Sequence, residues 1–213
     1  HESQSRLWEN QVGRSLAFSE WAIPHWSEYF PSNMNGVTGE MLWRSVNLVA
    51  PSLIRVEADE ATYNLHIMIR YEIEKQLING DLDVDDLPDA WDDMYEKFLG
   101  IRSPNRKQGV LQDVHWSMGA FGYFPTYTLG NLYSAQLLVA ARADLENDET
   151  LEEMWARGEF EPLLQWMRDK VHARGSILSP AELVEEATGQ APTPQPFIDY
   201  LRAKIESLYG VAA

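Results

Sequence analysis

The sequence has no cysteine, which removes disulfide frameworks and thiolate metal sites together and fits a reducing compartment. It has no apolar run long enough to span a bilayer and no leader at its start, so a soluble, cytoplasmic chain without membrane contact is expected. Basic residues are scarce: 17 Lys and Arg stand against 33 Asp and Glu, for a net charge of −16. Binding phosphate requires a basic face, so nucleic acid is not an expected partner. Strand-like alternation is nearly missing, and there is neither an internal repeat nor a low-complexity tract.

What is present is a helical, aromatic-rich chain. Hydrophobic residues make up 45% of 213 positions and include eight tryptophans, enough for a sizeable core with large aromatic anchors. An all-α fold is expected, with at most a short extended or β piece near 52–56, and residues 1–213 are read as one helical portion. Much of the negative charge is local: Asp81, Asp83, Asp85, Asp86, Asp89, Asp92, Asp93 and Glu96 lie together with no basic residue between them. The Gly and Glu spacing of a calcium loop is absent, so this segment reads as a solvated loop and helix start.

Leu7, Trp8, Val12, Leu16 and Phe18 recur at helical spacing through Trp21. Pro24 and Pro31 predict a short aromatic helix, His25–Phe30, and Thr38 predicts a capped helix reaching Val49 before Pro51. The strongest helix is expected from Glu57 to Asn79, apolar nearly all round and stopped by Gly80. Further helices are expected over Leu87–Phe98, Thr126–Leu145, Thr150–Val171 (split by Gly158 and Pro162) and Phe197–Leu208. Ser179-Pro180-Ala181-Glu182 has a cap, a first-turn proline and an N3 glutamate in their preferred places.

Three clusters stand apart from this frame. The window Gly109–Asn131, GVLQDVHWSMGAFGYFPTYTLGN, mixes polar, titratable and aromatic groups with four glycines and a proline. An ordinary core avoids that mixture because buried polar groups need partners. A His115 N–H and a Tyr127 O–H converging on one point would stabilise an oxyanion, whereas each alone is more often a packed core residue. At Ile54–Asp59, Arg55 is either ion-paired to Asp59 or Glu57, or held to fork onto a carboxylate. At His1–Gln4, Glu2 is a candidate carboxylate ligand. His1-Glu2 does not begin an H-E-x-x-H zinc motif, since Ser5 stands where the second histidine is needed. His25, His66 and His172 show no paired spacing that would replace it.

HESQ at 1–4, IRVEAD at 54–59 and GVLQDVHW at 109–116 resemble, in the same order, the HES(Q/G), I(R/A)xxAD and GxxQDxHW blocks of the thermostable carboxypeptidase 1 family of helical zinc metallocarboxypeptidases. The resemblance implies that Glu2 is the third protein ligand to zinc and that Arg55 clamps the C-terminal carboxylate of a peptide substrate. It gives His115 and Tyr127 the carbonyl oxygen as it becomes an oxyanion. The segment Leu132-Tyr133-Ser134-Ala135 favours Tyr127 over Tyr123, which is left as a substrate contact. Asp113, Gln112 and His1 are expected to orient these groups, and Arg102 and Arg106 to add positive charge. The family's H-E-x-x-H helix lies upstream of HES and has no match here. The resemblance therefore implies a C-terminal part lacking its N-terminal partner region. Alone it should bind zinc weakly or not at all and be inactive, and family homodimers make a dimer expected. The competing reading is a non-catalytic helical binding or assembly module, in which the polar groups of the window pair with one another inside a closed core.

Overall fold

Side-chain caps and glycines set several helix ends in the structure, a computed structural model that describes residues 2–210; no strand occurs among them. The first helix, α1 (Glu2–Arg6), runs directly into a π-helical turn, Leu7–Val12, which buries Leu7, Asn10, Gln11 and Val12. The chain then restarts where Ser15 Oγ accepts from the Phe18 amide at the head of α2 (Leu16–Tyr29). Pro24 was expected to open a separate short helix, but it lies inside α2. Losing one intrahelical hydrogen bond is offset by aromatic packing of Trp21 against Phe18, His25 and Phe160. Pro31, expected to close that helix, instead begins α3 (Pro31–Met34). Thr38 caps α4 (Gly39–Val46), which ends short of Val49 because Asn47 turns its side-chain amide back onto the carbonyls of Trp43 and Arg14.

The expected extended piece at 52–56 is only partly that. Ile54 is extended, but Arg55–Glu57 closes a 3-10 turn. The strongest helix, α5 (Tyr63–Asn79), starts later than Glu57. Asp59 delays it: Oδ1 accepts from the amides of Ala61 and Thr62, each at 2.9 Å, and Oδ2 from the Thr62 hydroxyl at 2.7 Å. Asx turns of this kind compete with helix. Gly80, at φ +77°, ends α5 in the left-handed region where a side chain would be strained. The acidic segment forms a 3-10 turn, Val84–Asp86, and the first turns of α6 (Leu87–Leu99).

The long α7 (Pro125–Leu145) is followed by α8 (Leu151–Ala156), α9 (Glu161–Lys170), α10 (Pro180–Thr188) and α11 (Gln195–Tyr209). Capping boxes form at Thr150 with Glu153 and at Ser179 with Glu182, the second as its spacing predicts.

The chain divides into two compact units, residues 1–47 with 130–213, and residues 48–129. The first is built on Leu7, Val12, Leu137, Trp155, Leu163 and Met167. The second packs Ile69 and Ile73 of α5 against Trp91 and Tyr95 of α6, with Tyr63, Ile67 and Phe124 in an adjoining cluster. Met68, Tyr71 and Ile78 of α5 are exposed.

Candidate active site

The second unit gathers the polar window around α5. Gln112 and Asp113 are successive residues of the loop between α6 and α7, and both reach the same two arginines. Asp113 Oδ1 accepts from Arg55 Nη2 at 2.7 Å and Nε at 3.1 Å, while Oδ2 accepts from Arg70 Nε at 2.7 Å. Gln112 Oε1 accepts from the Arg55 backbone amide and from Arg70 Nη2, both at 2.9 Å. Gln112 Nε2 ties the loop to the Leu53 carbonyl. The expected Arg55 ion pair to Asp59 or Glu57 is not made. Asp59 is spent on the turn before α5, and Asp113 takes the fork instead.

Aromatic rings enclose the charges. The Arg55 guanidinium lies 4.9 Å from the Tyr127 ring centre and 5.8 Å from that of Phe124; Arg70 lies 4.6 Å from Trp91 and 5.3 Å from Phe124. These are cation–π distances. Arg55 is only 5% exposed and Arg70 is fully buried. Burial alone would lower the Arg55 pKa, but the hydrogen bonds and charge of Asp113 outweigh it and hold it above its ordinary value. Burial likewise opposes ionisation of Asp113, yet the Arg55 hydrogen bonds and the two guanidinium charges keep its carboxyl below the usual range.

His115 sits beside this network with its ring against Phe124, centroids 4.4 Å apart. Its Nε2 is 3.0 Å from the Tyr127 hydroxyl; its Nδ1 is 4.0 Å from Asp113 and makes no hydrogen bond. Burial pushes the His115 pKa down, the Arg55 and Arg70 charges add to this, and Asp113 offsets part of it, so the neutral ring is favoured at neutral pH. A buried Glu74 on α5 fastens the glycine-rich turn, accepting from Trp116 Nε1 at 2.7 Å and from the Gly122 amide at 3.2 Å. His66, also on α5, bonds Tyr95 through Nδ1 at 3.0 Å, and its Nε2 has no partner.

Arg55, Gln112, Asp113, His115 and Tyr127 are thus brought together. Tyr123 is 45% exposed, its ring 5.7 Å from His115 and 5.4 Å from Tyr127. Arg102 turns away to the surface pairs with Asp93 and Glu96, and Arg106 is exposed on its loop. Glu2 lies in the first unit, half-buried on α1 and packed so closely on α7 that a Cβ at Gly130 would stand 2.5 Å from its own Cβ. His1 lies outside the described residues. Among the described residues no three His, Asp or Glu side chains form a group that could hold a metal ion, so they do not by themselves build a metal site.

Sequence reasoning missed Arg70, Glu74 and Tyr95. The signal was available in Arg70: a cation between Ile69 and Tyr71 in an apolar helix needs a buried partner, and Asp113 stood in the one window rich in polar groups. Gln112 and Asp113 pair with arginines from outside the window, whereas the binding-module reading has the window's polar groups pair with one another; within it His115 meets Tyr127. His115, Tyr123 and Tyr127 nevertheless keep part of their surface.

Comparison with known proteins supplies the family. The model of the carboxypeptidase Taq (M32) metallopeptidases matches residues 1–205. Thermostable carboxypeptidase 1 of Thermus thermophilus is 54% identical over 99% of this chain, and carboxypeptidase 1 of Bacillus subtilis is 43% identical over 98%. The crystal structure of the M32 carboxypeptidase from Deinococcus radiodurans R1 is similar at a TM-score of 0.94, with 50% identity across 99% of this chain and 42% of that one. The chain spans about 40% of the length of the curated relatives it matches. With nearly every residue covered by the family model, this chain belongs to the M32 family of metallocarboxypeptidases.

Proposed function

We propose that this chain is the C-terminal part of a zinc metallocarboxypeptidase and supplies its substrate-carboxylate and carbonyl-oxygen contacts. The observation that carries this is the placement of a rigidly held guanidinium, Arg55, 4.9 Å from the ring of Tyr127, whose hydroxyl meets His115. Arg55 spends Nε and Nη2 on Asp113 and Nη1 on Tyr63. Each Nη nitrogen carries a second N–H, and these are the donors for a peptide's terminal carboxylate. That contact is what would restrict cleavage to the last peptide bond.

His115 and Tyr127 act as a chain rather than as two independent donors. With the Nε2–H tautomer of neutral His115, the ring donates to the Tyr127 oxygen and strengthens the Tyr127 O–H as a donor. Tyr127 then stabilises the substrate's carbonyl oxygen as negative charge develops on it. Tyr123, exposed beside both rings, contacts the substrate's side chain.

Membership of the family implies a metal, and the residues described do not enclose one. We assign Glu2 as this chain's ligand to zinc, with the other ligands and the water-activating group contributed by the part of the protein outside this chain. The chain alone should therefore neither retain zinc nor hydrolyse peptides. Zinc content after dialysis, and hydrolysis of a blocked dipeptide by this chain alone, test that; zinc-dependent turnover would refute it. In the full-length enzyme, Arg55→Met tests the clamp. It should erase the preference for a free C-terminal carboxylate over its amide, and an unchanged preference would overturn the assignment.

A further inference from the structure

Arg70 lies in none of the three signature clusters, yet all three of its guanidinium nitrogens are engaged. Nε and Nη2 reach Asp113 Oδ2 at 2.7 and 2.6 Å, and Nη2 also meets Gln112 Oε1 at 2.9 Å. Nη1 donates to the His66 carbonyl at 2.8 Å and to the Tyr95 hydroxyl at 3.2 Å. Two of these partners also hold Arg55: the Asp113 carboxylate grips its side chain through Oδ1, and Gln112 Oε1 grips its backbone amide. Arg55 itself sits on a three-residue 3-10 turn, which supplies little rigidity. Arg70 comes from the middle of a 17-residue helix.

Burying a second cation is costly unless its pairing does something. Asp113 and Arg55 would satisfy each other without it. The other buried acid nearby, Glu74, is committed to Trp116 and Gly122. What Arg70 adds is a fixed point: it locks two neighbouring loop residues, and through both of them the angle and depth of Arg55.

We propose that Arg70 is the positioning residue for recognition of the substrate's terminal carboxylate, acting on Arg55 through Asp113 and Gln112 without touching substrate. This rests on the reading of Arg55 as the carboxylate clamp. A guanidinium forks onto a planar carboxylate only within a narrow range of angles, so looseness at Arg55 should weaken binding of that group while sparing the later chemistry.

The test uses the full-length enzyme and Arg70→Lys, which keeps the buried charge and loses the fork. The measurements are kcat and KM for a blocked dipeptide, the inhibition constant of the free product amino acid, and the melting temperature. The expected result is a rise of about tenfold in both KM and the inhibition constant with kcat within about threefold, the pattern of lost ground-state binding. Gln112→Met breaks the bridge to the Arg55 amide without removing a charge, and it should shift the same two constants in the same direction. It carries the test if Arg70→Lys does not fold. A lower melting temperature with KM and the inhibition constant unchanged would assign Arg70 a structural role only and overturn the proposal. Arg55→Met separates the two claims. If it leaves both constants unchanged, the clamp reading falls; if it raises them while the folded Arg70 and Gln112 variants do not, only the role of Arg70 falls.

Discussion

The Nε2 nitrogen of His115 lies 3.0 Å from the hydroxyl of Tyr127, while Nδ1 of the same ring makes no hydrogen bond. One hydrogen bond therefore couples the two side chains, and under the proposed function the effects of replacing them should not add. In the full-length enzyme, Tyr127→Phe should lower kcat by about 10²–10³, the usual cost of one oxyanion donor. His115→Gln alone should cost somewhat less, and the double variant little more than Tyr127→Phe. Steady-state kinetics on the four proteins checks this, and fully multiplicative losses would mean that each residue reaches the substrate separately.

Asp113 neutralises two buried guanidiniums, so its removal should be among the most damaging single changes to the second unit. Asp113→Asn should destabilise by about 3–5 kcal/mol, the range for breaking a buried pair by removing one partner. Glu57→Gln, at an exposed position, should cost under about 0.5 kcal/mol. Urea denaturation followed by tryptophan fluorescence compares them, and similar midpoints would show that the network contributes little.

His66 predicts a pH dependence of stability. Burial, reinforced by the charges of Arg70 and Arg55, pushes its pKa down to about 4, against partial opposition from Asp59 and Asp113. The folded state thus resists protonation that the unfolded chain accepts from about pH 6.5 downward. The contribution is fully present above pH 6.5 and is lost as pH falls to about 4, amounting to about 3 kcal/mol. Asp113, also depressed, adds its loss at lower pH still. His66→Gln should flatten the unfolding free energy between pH 6.5 and 4 and leave the steeper loss below it, as followed by urea titrations across that range.

Gly130 is set by the approach of Glu2. A Cβ there would also lie 3.1 Å from the Glu2 carbonyl carbon and 3.2 Å from the Ser3 amide nitrogen, so backbone rather than a flexible tip must yield. Gly130→Ala should cost about 1–3 kcal/mol by overpacking. In the full-length enzyme it should also lower the metal retained after dialysis, if Glu2 is a ligand. Thermal unfolding and metal analysis read the two effects separately.

Helices were legible where local chemistry decides them. Ser179 with Glu182, Thr38 before Gly39, and Gly80 after Asn79 act within one turn of the chain, so neighbours in sequence suffice to predict them. Helix ends depart from local signals where side chains bond the backbone in another way: Asp59 holds back the start of α5 and Asn47 ends α4 early, while Pro24 lies inside α2 beside packed aromatic rings. In the site, Arg55, Gln112, Asp113, His115 and Tyr127 announced themselves as polar groups in apolar or glycine-rich settings. Their partners did not. Arg70 and Glu74 are spaced like core residues of α5 and become meaningful only when the loop beyond α6 folds onto that helix.

The helical class, several helix ends and the family were written in the order of residues, because capping, periodicity and short motifs are properties of neighbours along the chain. Which charge answers which was settled by the packing of the folded chain. Asp113 lies 58 positions from Arg55 and 43 from Arg70, and no spacing rule connects them. Burying a cation demands a counter-charge but does not name it, and the choice is made by which loop closes over the helix.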